Sequence, residues 1–180
     1  MFTMPTRLVL LAFLPIGSAT TLSAQTAAPD LSDPEVAHVA VTANTIDITL
    51  AKFALRASKN ADVKKFATTM VTDHSAVNQQ AGALAAKPGV TPADNAVSQS
   101  LLKGAAEARA SIQPLKGAAF DAAYIAREVG YHQAVLDALD GLLIPTTTNA
   151  ELKKLLVDVR PAIAAHLEHA KMIKASLGAK

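Results

Sequence analysis

Asp47, His74, His132 and His166 can each ligate a metal or exchange a proton, and each stands in an otherwise apolar stripe at helical spacing. Val36, Ala40, Ala43, Asp47, Leu50, Ala54 and Ala57 follow 4-3-4-3 spacing and line one helix face. Val63, Phe66, Met70, His74, Val77, Ala81 and Leu84 do the same. A third stripe reads Ile125, Glu128, His132, Val135, Leu139, Leu142, and a fourth Leu152, Leu156, Val159, Ile163, His166, Ala170, Ile173, Leu177. A charge or imidazole on a buried face is costly unless it is paired, hydrogen-bonded or bound to a metal. One such residue per helix points to a shared interior polar site.

Each of the four lies near the midpoint of its own helical segment. At 1.5 Å rise per residue they sit within roughly 5 Å of mid-height, so a bundle of similar-length helices can bring them into one layer. Three imidazoles and a carboxylate make a first coordination shell for a divalent ion such as zinc, iron or copper. Glu128, one turn before His132, supplies either a fifth ligand or a partner that orients the imidazole. The competing reading is a metal-free structural or stress-related envelope protein, whose buried network pairs Asp47 with one histidine and fixes helix register. A shared site requires the imidazoles to lie within about 12 Å of one another, the width of a helix with its side chains.

Other features weigh less. The carboxylate di-iron signature needs Glu-x-x-His on two helices, but Val71, Val129 and Ile163 stand three residues before His74, His132 and His166. Met70 before His74, and His169 before Met172, could serve copper(I), though methionine on a helical stripe is usually core filling. His38 is expected in solvent and His169 at the periphery, about 60° from His166 around its helix. No nucleophile elbow and no phosphate loop is present, which argues against an enzyme of either kind.

The elements that must position these residues are all helical; no alternating strand pattern of useful length occurs. Asp33 reads as an N-cap with Pro34 at the first helical position, and that helix runs to about Ser58. Asn60 caps a second helix, reaching Ala86 and stopped by Lys87-Pro88-Gly89. The turn between them makes the pair antiparallel. Val90–Lys116 holds Pro92, Gly104 and Pro114 with a short helix over about Ala96–Ile112. A third long helix spans about Ala118–Leu143 and ends at Pro145; a fourth starts near Asn149, with Pro161 either kinking it or marking its true start. The long connection suits a ferritin-like four-helix bundle in which the second and third long helices run parallel.

Residues 1–24 read as a signal peptide: Arg7, an apolar run from Leu8 to Ile16, then small residues, with Ala24 the expected last residue removed and Ala19 a second site. The run is too short to span a bilayer; the alternative is an uncleaved N-terminal anchor. Residues 25–32 form a polar tether and 33–178 the bundle. The chain is therefore expected in the periplasm or secreted, an oxidising setting, yet it has no cysteine. Disulfides and thiolate chemistry are excluded, leaving His, Asp, Glu and Met as metal ligands. The formal charge of +2, less one when Arg7 leaves, offers no attraction for nucleic acid or anionic lipid. With no Trp and two Tyr, little aromatic surface exists to stack nucleobases.

Several stretches together resemble one bacterial family. They are Asp47-Ile-Thr-Leu-Ala-Lys-Phe-Ala, Val63-Lys-Lys-Phe-Ala-Thr-Thr-Met-Val-Thr-Asp-His74, Phe120-Asp-Ala-Ala-Tyr124 with His132-Gln133, and Pro161 with His166-Leu and Ala170. The chain is similar over Pro34 to Ile173 to the family called domain of unknown function 4142. The resemblance implies a ferritin-like, exported bundle with peripheral envelope association, and no defined activity. Asp47 stands where that family more often has Glu, and Arg160 where it usually has Leu.

Overall fold

The computed structural model describes residues 30–87 and 89–178, so the expected leader, most of the tether and Pro88 of the Lys87-Pro88-Gly89 stop lie outside the described residues. All regular structure among the described residues is helical: α1 (Asp33–Ala57), α2 (Ala61–Ala85), α3 (Ala96–Ile112), α4 (Gly117–Ala138) and α5 (Ala150–Gly178). No helix among them is long and apolar enough to cross a membrane.

The caps explain most boundaries. Asn60 accepts hydrogen bonds from the backbone N–H groups of Asp62 and Val63, and Asn149 accepts from those of Glu151 and Leu152. The start of α1 differs from expectation: its N-cap is Ser32, whose backbone N–H and hydroxyl both donate to Glu35. Asp33 is drawn elsewhere. Its carboxylate accepts from the backbone N–H of Thr148 (2.8 Å), the Thr148 hydroxyl (2.6 Å) and the Asn149 N–H (2.9 Å), tying the start of α1 to the start of α5. Leu31, expected within the tether, is buried in the core.

Proline acts differently at its two helical positions. Pro145 does not end α4 cleanly. Leu139–Leu143 widens into a π-helical turn, with the Ile144 N–H bonding to the Leu139 carbonyl, and one further turn, Ile144–Thr146, contains the proline. A proline ring clashes with the carbonyl four residues back, and widening the turn relieves this. The Thr146 and Thr147 hydroxyls donate to the Leu142 and Leu143 carbonyls, the latter also accepting the Thr147 backbone N–H. Pro161, by contrast, lies inside the continuous α5. Pro161 and Val157 are both exposed, so the carbonyl deprived of its N–H partner can be met by water. Arg160 forks onto Asp140 of the π turn with two bonds of 2.6 Å.

Residue contacts give the helix directions. Asn44 and Thr45 of α1 meet His74 and Asn78 of α2 across their hairpin. Tyr131 reaches Ala43 while Arg127 reaches Asp47, so numbering falls along α4 as it rises along α1, and those two run antiparallel. Hence α2 and α4 point the same way. The chain between them must return the length of the bundle, and α3 does so beside α1: Ser98 bonds His38 near one end, and Arg109 lies over Phe53 near the other.

The core falls into two parts. A lower one, at the start of α1, is aliphatic and rich in leucine, with Leu139, Leu143, Leu152 and Leu156. An upper one holds Phe66, Met70, Phe120, Tyr124 and small residues such as Ala51 and Ala54. Between them lies a layer of buried polar side chains. Asp33→Ala should remove the tie between helix starts and lower unfolding free energy by about 1–2 kcal/mol in urea titration; an unchanged midpoint would show that the Thr148 contacts contribute nothing.

Candidate metal centre

The polar layer contains all five residues singled out from the sequence, and all are buried: Asp47, His74, Glu128, His132 and His166. The three imidazoles form a near-equilateral triangle, with centroid separations of 5.8 Å (His74–His132), 5.4 Å (His74–His166) and 5.5 Å (His132–His166). One nitrogen from each lies within 4.8 Å of the other two, and Asp47, Glu128 and His132 offer a second such group.

Each imidazole is held by its other nitrogen. The His74 Nδ1–H donates to Asn44 Oδ1 at 2.6 Å, the His132 Nδ1–H to the Glu128 backbone carbonyl at 3.0 Å, and the His166 Nε2–H to the Asp73 carboxylate at 2.9 Å. These bonds orient the rings and select the tautomer, so in the neutral form His74 Nε2, His132 Nε2 and His166 Nδ1 carry lone pairs. Those three nitrogens, with Asp47 Oδ2 and Glu128 Oε2, are buried and make no hydrogen bond. The contact between His74 Nε2 and Asp47 Oδ2 is 3.1 Å but lacks hydrogen-bond alignment. Two acceptors facing each other at that distance repel unless a proton or metal cation lies between them.

The outer carboxyl oxygens are satisfied differently. Arg127 Nη1 donates to Glu128 Oε1 at 2.8 Å and to Asp47 Oδ1 at 3.4 Å. Its guanidinium lies 4.0 Å over the Tyr131 ring, and the Tyr131 hydroxyl donates to the Ala43 carbonyl. One arginine thereby balances charge on two buried carboxyls and leaves Oδ2 and Oε2 toward the imidazoles. Burial opposes ionisation of Asp47, but the close polar contact and field of His74, followed by the field of His132, outweigh it and hold that carboxyl well below the usual range. Glu128 goes the other way: burial first, then the Asp47 charge, push its carboxyl well above the ordinary value, only partly offset by Arg127. Burial likewise lowers His132 to about 4 and lowers His166.

Three supporting residues escaped the sequence reading. Asp73 and Arg127 are exposed-looking neighbours of His74 and Glu128 in the chain, and Asn44 sits one turn before Asp47. Adjacency was the only signal, since none belongs to an apolar stripe. His38 corrects the expectation of a solvated ring: it is half-buried and bonds Ser98 Oγ at 2.9 Å. His169 is peripheral, packed edge-on against Phe66. Met70 is buried in the upper core, as core filling, and Met172 is 64% exposed.

The chain belongs to the family described as Domain of unknown function (DUF4142), whose model matches residues 18–173. Among solved structures it is similar to CopM in the Cu(II)-bound form, with TM-score 0.61 and 15% sequence identity, over 82% of this chain and 99% of that one. At that identity the likeness is one of fold. No curated protein matches.

Two outcomes test the electrostatics. Arg127→Met should destabilise the metal-free protein by roughly 3–5 kcal/mol, because Asp47 loses its countercharge while buried; a loss below about 1 kcal/mol would mean the arginine is dispensable. The pH response has a defined sign. His132 binds its proton less readily folded than unfolded (about 4 against an ordinary value near 6.5), so its contribution is full above that value and is lost as pH falls toward 4. Glu128 opposes this, because its raised pKa gives stability at low pH that is lost on raising it. In Glu128→Gln, treated with chelator, unfolding free energy should therefore fall by about 2 kcal/mol between pH 7.5 and pH 5. A flat or rising profile would show the imidazoles to be solvated or charge-paired.

Proposed function

We propose that this protein is an exported, ferritin-like helical bundle that holds one divalent transition-metal ion between His74, His132, His166 and Asp47, with Glu128 as a fifth ligand once deprotonated. One observation carries the reading: five buried atoms, one from each of these residues, have no hydrogen-bond partner, and the residues form two adjoining ligand triads that share His132. A self-sufficient polar network would pair such atoms, since each buried group left unpaired costs roughly 1–3 kcal/mol. An ion that takes up the lone pairs removes that cost, and the partners Asn44, Asp73 and the Glu128 carbonyl are of the kind that orient metal-binding histidines.

The donor set is imidazole and carboxylate, which suits copper(II), zinc or iron(II), with copper(II) bound most tightly in the general order of affinities. The structural neighbour's Cu(II)-bound form supports trying copper first. Zinc would contribute Lewis acidity, and copper or iron one-electron chemistry. A zinc-sized ion keeps such ligands at about 2.0–2.2 Å, so spacings of up to 4.8 Å close with small side-chain shifts. The parallel run of α2 and α4, with α3 returning beside α1, supports the ferritin-like assignment. Arg7 and the apolar run before Ala24 support export.

Untagged full-length protein, purified from the periplasm and analysed for metals, should retain about one equivalent per chain. Stripped protein should take up one equivalent of Cu(II), with nitrogen hyperfine structure in its spin resonance spectrum. Metal at 100 times its dissociation constant should add about 2.7 kcal/mol of stability. His74→Ala, His132→Ala and His166→Ala should each abolish uptake, whereas His169→Ala should not. Failure to retain any metal at micromolar concentrations, or equal loss in His169→Ala, would defeat the assignment.

A further inference from the structure

Immediately below the polar layer, the four long helices line a largely buried cavity of about 50 Å³. It runs along the bundle axis from Leu152, at the lower end of α5, up to Ile163, one turn before His166. That stretch is roughly 16 Å at 1.5 Å per residue, so the volume is spread into a narrow slot. Its walls explain why it persists. Ala40 of α1 and Ala81 of α2 contribute little volume opposite the leucines of α5, while the π turn brings both Leu139 and Leu143 inward. The remaining wall is apolar except for Asn44 at the upper end.

Water is a poor occupant, because a buried water needs two to four polar partners. Among the described residues Asn44 is the one polar residue lining the slot, and its Oδ1 is engaged by His74. Size restricts the alternatives: a dry apolar cavity of about 150 Å³ takes benzene or xenon, and a slot a third of that volume leaves room only for a monatomic or diatomic guest. We propose that the slot is a binding site for a small apolar molecule of the size of dioxygen, held one residue away from the histidine cluster. The slot itself needs no metal; its placement beside a metal centre rests on the reading given above.

Xenon is the probe. Metal-free full-length protein in solution, followed by xenon-129 resonance, should bind one xenon per chain saturably, and crystals under xenon pressure should place it against Leu139 and Ile163. Ala40→Leu and Ala81→Leu should each abolish binding while retaining the helical spectrum and a cooperative melt. Absence of saturable binding in the unaltered protein, or its survival in both variants, would overturn the proposal. Loss of the metal assignment would leave these results untouched, so the two fail separately. In Cu(II)-loaded protein the bound xenon should relax at least severalfold faster than in zinc-loaded protein; equal relaxation would overturn the placement beside the metal.

Discussion

Five ionisable side chains are buried at one level of an otherwise apolar bundle, and the rest of the structure answers that constraint. Asp47, His74, Glu128, His132 and His166 cannot reach bulk water, so every polar atom they carry must be met from within. Half of that demand is met by neighbours chosen for it: Asn44, Asp73, the Glu128 carbonyl and Arg127 each engage the atom of a cluster residue that faces away from the centre. The atoms facing inward are left to one another, and they are all acceptors or lone pairs apart from the proton on Glu128.

The same layer divides the packing. Leucines below and aromatic residues above form two separate apolar clusters, joined by Val129, which packs against both. Such a belt also fixes register, since sliding one helix by a turn would put an imidazole into leucine and strand a carboxylate. The tie from Asp33 to Thr148 and Asn149 closes the lower end, and the fork from Arg160 to Asp140 braces the π turn from outside. The helix starts and the widened turn are therefore fastened by polar contacts at the surface, leaving the interior leucines free to line the slot.

Arg127 deserves its place among the determinants of the centre because it acts on both carboxyls through one nitrogen. It holds Glu128 Oε1 and, more loosely, Asp47 Oδ1, and it is itself fixed by the Tyr131 ring. Two carboxyls this close do not ionise together readily, so Asp47 carries the charge and Glu128 the proton in the protein without metal. A divalent ion changes that balance and favours releasing the Glu128 proton.

Periodicity in the sequence determined the helices, and the placing of Asp47, His74, His132 and His166 in apolar stripes determined that they would be interior. Both follow from local rules: a 3.6-residue repeat decides which face is buried, and mid-helix position decides height. Asn60 and Asn149 were legible as the starts of α2 and α5 for the same reason, since a cap acts on its own chain. Tertiary structure alone decided what those rules do not reach. Asp33 looks like a cap in sequence and instead reaches 115 residues along the chain to Thr148, leaving Ser32 to take its place. Asn44, Asp73 and Arg127 lie off the apolar stripes, so only the packing of helix against helix reveals them as the groups that aim the imidazoles and balance the carboxyls. The slot above Leu152 is likewise a property of packing, arising where the alanines of α1 and α2 face the leucines of α5 and no side chain is long enough to fill the space between.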